Sequence, residues 1–123
     1  MGFAITPEAM AHYREGAHAR EAARLQADER RRLAAWATAR RAAGLLRVSF
    51  GATRVIIFGS LAHGAWFHPR SDIDLAVEGL APESFWRAGS ALDHLEPAFE
   101  IDLIAFEAAP PELAQEIAQG QEL

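Results

Sequence analysis

Two patterns of apolar and polar residues divide the chain. From Pro7 to about Phe50, alanine, arginine, glutamate and leucine dominate, all good helix formers. Large apolar residues are sparse in the first half of this stretch, Pro7 to Gln26. They thicken in the second half, where Leu33, Trp36, Ala37, Ala43, Leu46 and Phe50 are enough for a buried stripe. Beyond Gly51 the pattern changes to short β-branched and apolar runs bounded by glycine and proline.

The helical stretch has clear ends. Thr6 suits an N-cap, Pro7 the first helical position and Glu8 the positive end of the helix dipole. Gly51 suits the C-terminal stop. Gly16 and Gly44 are weak points, and a break is expected somewhere between Asp28 and Arg32. Thr53–Phe58, Asp72–Val77 and Phe99–Phe106 then read as strands. A short turn of helix is expected after Gly59-Ser60, a helix over Glu83–Leu95, and a last one over Pro111–Gln119 behind the Pro110-Pro111 stop. This order predicts an α/β (α+β) domain with a small mixed sheet covered by helices.

Composition narrows the class. At 123 residues, half of them hydrophobic, the chain has the size and balance of one soluble globular domain. It has no apolar run long enough to span a bilayer and no basic start followed by an apolar signal core, so a cytoplasmic protein without a membrane partner is expected. Without cysteine it has neither disulfides nor thiolate metal sites. The net charge of −5 is unevenly placed: residues 7–43 carry eight arginines and five acids, +3, which leaves −8 on the rest. Phosphate backbones need a positive surface, so direct nucleic-acid binding is not expected of the acidic part.

The candidate chemistry lies in that acidic part. Asp72 and Asp74, in Ser71-Asp72-Ile73-Asp74-Leu75, are two apart on a strand and so share a face, with Ile73 and Leu75 on the other. Adjacent carboxylates repel, and a hard divalent cation such as Mg²⁺ removes the conflict while also taking substrate phosphates. Upstream, a strand ends at Gly59-Ser60, a turn at which the backbone can approach a phosphate; the Ser60 hydroxyl serves either as an N-cap or as a phosphate donor. Downstream, Glu100 and Asp102 share one face of the last strand. Asp102 beside the first two aspartates would act as general base or help to hold a metal, although periodicity alone does not choose it over Glu100.

Gly59-Ser60, Gly64, Ser71-Asp72-Ile73-Asp74-Leu75 and Asp102 resemble the minimal nucleotidyltransferases (MNT) of the DNA polymerase beta-like superfamily. The resemblance runs from about Leu45 to the closing Gln119-Gly120-Gln121-Glu122-Leu123; Leu61–Ser71 is one residue longer than the commonest family spacing. It implies a polymerase-beta-like fold, with a helical extension over residues 1–28 and the minimal nucleotidyltransferase domain over 29–123. It further implies that Gly59 and Ser60 hold the triphosphate of ATP and that Asp72, Asp74 and Asp102 bind two Mg²⁺ ions and carry catalysis. Small MNT proteins often act as antitoxins of a HEPN-family ribonuclease toxin, some by transferring AMP to a toxin tyrosine. The partner implied is such a toxin.

Other features have plainer readings beside functional ones. Arg70, next to the aspartates, is a candidate for holding the triphosphate. His63 and His68 flank the same elements and are read as loop histidines, or as nucleotide contacts. Trp66 and Phe67 are expected to pack below their loop, or to stack on a base. Phe85 and Trp86 are expected to cover the sheet, His94 to be structural or exposed, and Arg30-Arg31-Arg32 to be a solvated face with intrahelical ion pairs, or a partner contact. The thinly anchored first half of the helix is suited to docking on a partner or on a second copy of the chain. Two other functions fit the same residues: an antitoxin that works by binding alone, and a nucleotidyltransferase with a small-molecule acceptor.

Overall fold

The structure, a computed structural model, describes residues 5–64, 67 and 71–123. Its elements are α1 (Pro7–Phe50), β1 (Arg54–Phe58), α2 (Ser60–His63), β2 (Ile73–Glu78), α3 (Phe85–Asp93), β3 (Ile101–Ala105), α4 (Pro111–Ala118) and β4 (Gln121–Glu122). Two single-turn 3₁₀ helices, Pro82–Ser84 and Phe106–Ala108, lead into α3 and out of β3.

The sheet runs β3-β2-β1-β4. β1 pairs antiparallel with both β2 and β4, and β2 pairs parallel with β3. The parallel pair is joined through α3, which returns the chain across one face. That face is the main core: Val55, Ile57, Ile73, Leu75, Val77 and Ile101 meet α1 and α3. On the opposite face Ile56, Phe58 and Ala76 pack under Ile117 and Leu113 of α4. Strand alternation therefore sends every second side chain to a different helix layer.

α1 is one unbroken helix. Thr6 accepts from the Ala9 amide at 3.1 Å, and Gly51, at φ 75°, returns its amide to the Arg47 and Leu46 carbonyls. The break expected between Asp28 and Arg32 does not occur. Ion pairs Arg24–Glu21, Arg24–Asp28 and Arg32–Glu29 line the exposed helix there, at spacings that favour continuation.

The buried stripe also differs from expectation. It consists of Ala35, Trp36, Ala39, Ala42, Ala43 and Leu46, while Leu33 and Ala37 face outward. Alanines let the helix axis approach the sheet closely, so the stripe is built from small residues that hydrophobicity alone does not single out. Before Ala35 no residue of the helix is buried.

The C-terminus closes the sheet. β4 sits against β1, the Leu123 amide donates to the Val55 carbonyl at 2.8 Å, and Arg47 donates to the Leu123 carbonyl. Arg54 reaches Glu78 and Glu122 on the strands either side, at 3.1 and 3.5 Å.

Candidate active site

β1 ends at Phe58, and Gly59 then turns the chain with φ 75° and ψ −152°, a region open only to glycine. Gly59, not Ser60, occupies the cap position of α2, and no side chain caps that helix. Ser60 is its first residue. The N-cap alternative read for Ser60 is thereby excluded.

In the antiparallel register, Phe58 lies opposite Asp74. The Asp74 carboxylate consequently rests against Gly59, so closely that a β-carbon at position 59 would collide with Oδ2. In the parallel register, Asp74 lies beside Asp102, on strands about 4.8 Å apart. Asp72 immediately precedes β2 and is close enough to Asp102 to raise its pKa. Three of the acids singled out in the sequence thus meet at one end of the sheet.

The electrostatics report the crowding. Partial burial, then the charges of Asp102, Asp72 and Glu116, push the Asp74 carboxyl up from 3.8 to about 6. Asp102 is raised by loss of hydration at its carboxyl first, then by the Asp72 charge. Adjacent carboxylates cannot all ionise without mutual cost. Oxygen ligands that crowd and resist ionisation together are the donor chemistry a hard divalent cation satisfies, so Asp72, Asp74 and Asp102 fit Mg²⁺. Among the described residues no three acidic or histidine side chains already close into a ligand cage.

Between Asp102 and Glu100, which periodicity left open, only Asp102 has the register position beside Asp74. Glu100 stands exposed before β3, its carbonyl accepting from the Ile73 amide at 2.9 Å. Glu116 was missed by sequence reading. It lies on α4, which packs on the same sheet face through Ile117 and Leu113. The available signal was the amphipathic spacing of Leu113 and Ile117, which places Glu116 beside the buried position.

His63 ends α2 and is exposed. Trp66, His68 and Arg70 lie outside the described residues. Phe67 is half-buried against the core, 6.4 Å from Phe99, as the packing alternative held. The three-arginine run divides: Arg32 pairs with Glu29, whereas Arg31 lies 4.5 Å over the Phe99 ring and donates to the Ala98 carbonyl, stapling the loop before β3. His94 caps the end of α3, its Nδ1 2.8 Å from the Ser90 carbonyl. Trp86 does not cover the sheet. It is 82% exposed, meeting Phe85 edge-on while Ala88 and Leu92 take the buried side of α3.

Strand order brings the glycine turn and the three aspartates to one end of the sheet. Residues 46–123 match the model of the polymerase beta nucleotidyltransferase family, and the chain belongs to that family. Comparison with curated proteins finds no match. Among solved structures, the chain is similar to a toxin-antitoxin complex with AMP-PNP, at 27% identity and TM-score 0.57, over 68% of this chain and 70% of that one. It is also similar in fold to the toxin-antitoxin MntA-HepT (23% identity, TM-score 0.53, 71% and 69% covered). A third likeness is to the complex of the tri-AMPylated Shewanella oneidensis HEPN toxin with its MNT antitoxin (22%, 0.54, 72% and 70%). Among the described residues no helix is long and apolar enough to cross a membrane.

Proposed function

We propose that this nucleotidyltransferase moves AMP from ATP onto a hydroxyl, a tyrosine of a HEPN-family toxin, and so acts as an antitoxin. The observation that carries this reading is the meeting of Asp72, Asp74 and Asp102 beside Gly59, each on a different part of the sheet end. The AMP-PNP complex and the AMPylated toxin among the structural neighbours support the choice of nucleotide and partner.

In the reaction, the acceptor oxygen forms a bond to the α-phosphorus of ATP. The bond from that phosphorus to the bridging oxygen breaks, and its electron pair leaves with pyrophosphate. The acceptor proton passes to the Asp102 carboxylate. Gly59 makes the turn that presents Ser60 at the start of α2, and the Ser60 hydroxyl donates to the phosphate oxygens. Asp72, Asp74 and Asp102 would hold Mg²⁺, which when bound supplies charge neutralisation at the triphosphate. What remains is positioning, which a small domain can provide once a partner brings the acceptor.

The test is intact mass spectrometry of the protein with ATP, Mg²⁺ and a HEPN-family toxin. An AMP-sized gain on the HEPN chain, absent with Asp74→Asn, is the expected result. A stable complex without any gain in mass overturns catalysis and leaves neutralisation by binding.

A further inference from the structure

Among the described residues β3 is the outermost strand of the sheet with no strand paired to its outer edge, and that edge lies in a groove. One cavity, of about 300 Å³, is lined by Ile101, Asp102 and Leu103; the next, of about 560 Å³, by Leu103, Ile104 and Ala105. Consecutive strand residues point to alternate faces, so a cavity lined by all of them runs along the backbone edge. Phe85 and Trp86 wall both cavities. Gly89 lines the smaller one, and a β-carbon there would meet nothing within 4 Å. The groove is therefore walled by Phe85, Trp86, Leu103 and Ile104, carries Ser90, Asp93 and Glu107 at its polar margins, and ends on Asp102, a carboxylate of the proposed active site.

We propose that an extended segment of the acceptor protein docks here as an added strand on β3. This rests on the nucleotidyltransferase reading and names its acceptor site. A free edge offers backbone donors and acceptors to such a segment, and Trp86 offers a flat apolar surface to its side chains. Continuity with Asp102 fixes the occupant. In a paired strand the residue opposite Asp102 carries its side chain on the same face, with β-carbons about 5 Å apart. A hydroxyl side chain at that position reaches Asp102, while its two neighbours point to the α3 face, where Trp86 and Leu103 lie. The segment recognised is accordingly a hydroxyl residue between two apolar ones.

The experiment uses the full chain, isotope-labelled for amide NMR, and a capped pentapeptide with valines flanking a central tyrosine. Saturable shifts confined to residues 101–105 and the Trp86 neighbourhood are expected. Binding should weaken about tenfold or more with Trp86→Ala, recover with Trp86→Phe, and weaken similarly when the peptide backbone is N-methylated. Gly89→Leu, whose β-carbon meets nothing within 4 Å, should also block it. No saturable binding, shifts elsewhere, or equal affinity for the N-methylated peptide overturns the proposal. Peptide AMP gain and ATP affinity are read separately. A peptide bound at β3 that never receives AMP would uphold the docking groove and sink the transfer reading instead.

Discussion

Asp74 lies against the Cα of Gly59, and the two positions constrain each other. Gly59 has the backbone angles that only glycine tolerates, and its missing side chain is the space the carboxylate occupies. Gly59→Ala meets both obstacles. It should lower stability by about 1–3 kcal/mol through backbone strain and reduce AMP transfer by about 100-fold or more through displacement of Asp74. Thermal melts and the transfer assay check these separately. A variant with unchanged melting and transfer would show that the turn is not under this constraint.

The Asp74 carboxyl gives a stability profile with a definite sign. Its pKa is about 6 in the folded protein against an ordinary 3.8. Between those values the folded state binds the proton more tightly. The contribution to stability is full below about pH 4 and is lost as pH rises through 6. Metal-free protein should therefore weaken across this window. Asp74→Asn should flatten the profile and stabilise the protein at pH 7.5 by about 1–2 kcal/mol, partial exposure screening the full effect. Mg²⁺ should raise the melting temperature of the wild type more than that of the variant. Identical pH profiles for both proteins would count against the crowded-carboxylate account.

The four acids should separate by role. Asp72→Asn and Asp74→Asn are expected to reduce transfer by about 1,000-fold or more, and Asp102→Asn by about 10²–10⁴. Glu116 is exposed and is the last of the influences on Asp74. Glu116→Gln should change transfer by less than about threefold, the size expected of a screened surface charge. Single-turnover rates at saturating ATP measure the series. A Glu116 effect as large as that of Asp74 would place it in the site.

Asp74 was legible because strand alternation fixes its face before any tertiary information exists, whereas Asp72, expected on the same strand, lies one residue before β2. The Gly59-Ser60 turn was legible for a similar reason: a β-branched run stopping at glycine is a local signal. Choosing Asp102 over Glu100 needed the register of β2 against β3, which depends on how α3 carries the chain across. Glu116 needed the packing of α4 on the same face. The alanine stripe of α1 escaped because alanine is equally at home on either side of a helix. Trp86 escaped because an exposed tryptophan violates the expectation that large aromatics cover a sheet. β4 is only two residues long and carries no periodicity. Its place is set by Gly120, whose absent side chain lets the backbone pass the Ile57 carbonyl.

That close approach predicts the effect of changing Gly120. A β-carbon there would collide with the Ile57 carbonyl oxygen and crowd Ile56. Because the oxygen belongs to the backbone of a central strand, it cannot move aside cheaply. Gly120→Ala should cost about 1–3 kcal/mol and loosen β4, seen as faster hydrogen exchange at the Leu123 amide, which donates to Val55. A wild-type exchange rate at that amide would show that β4 is held by Arg47 and Arg54 instead.

The N-terminal half of α1 should be dispensable for folding. Residues 7–34 span about 40 Å of helix at 1.5 Å per residue, and none of them is buried. What holds residues 7–28 helical is local: the Thr6 cap and the Glu21, Arg24 and Asp28 ion pairs. Such pairs contribute only tenths of a kcal/mol each and nothing to the core. Removing residues 1–28 keeps Arg31 on Phe99 and the whole alanine stripe, so the melting temperature should move by no more than about 3 °C. If the exposed helix joins two copies of the chain, the same truncation should convert a dimer to a monomer in sedimentation velocity. A truncated protein that melts far lower would place the extension within the folding unit, and the proposed division at residue 28 would fail.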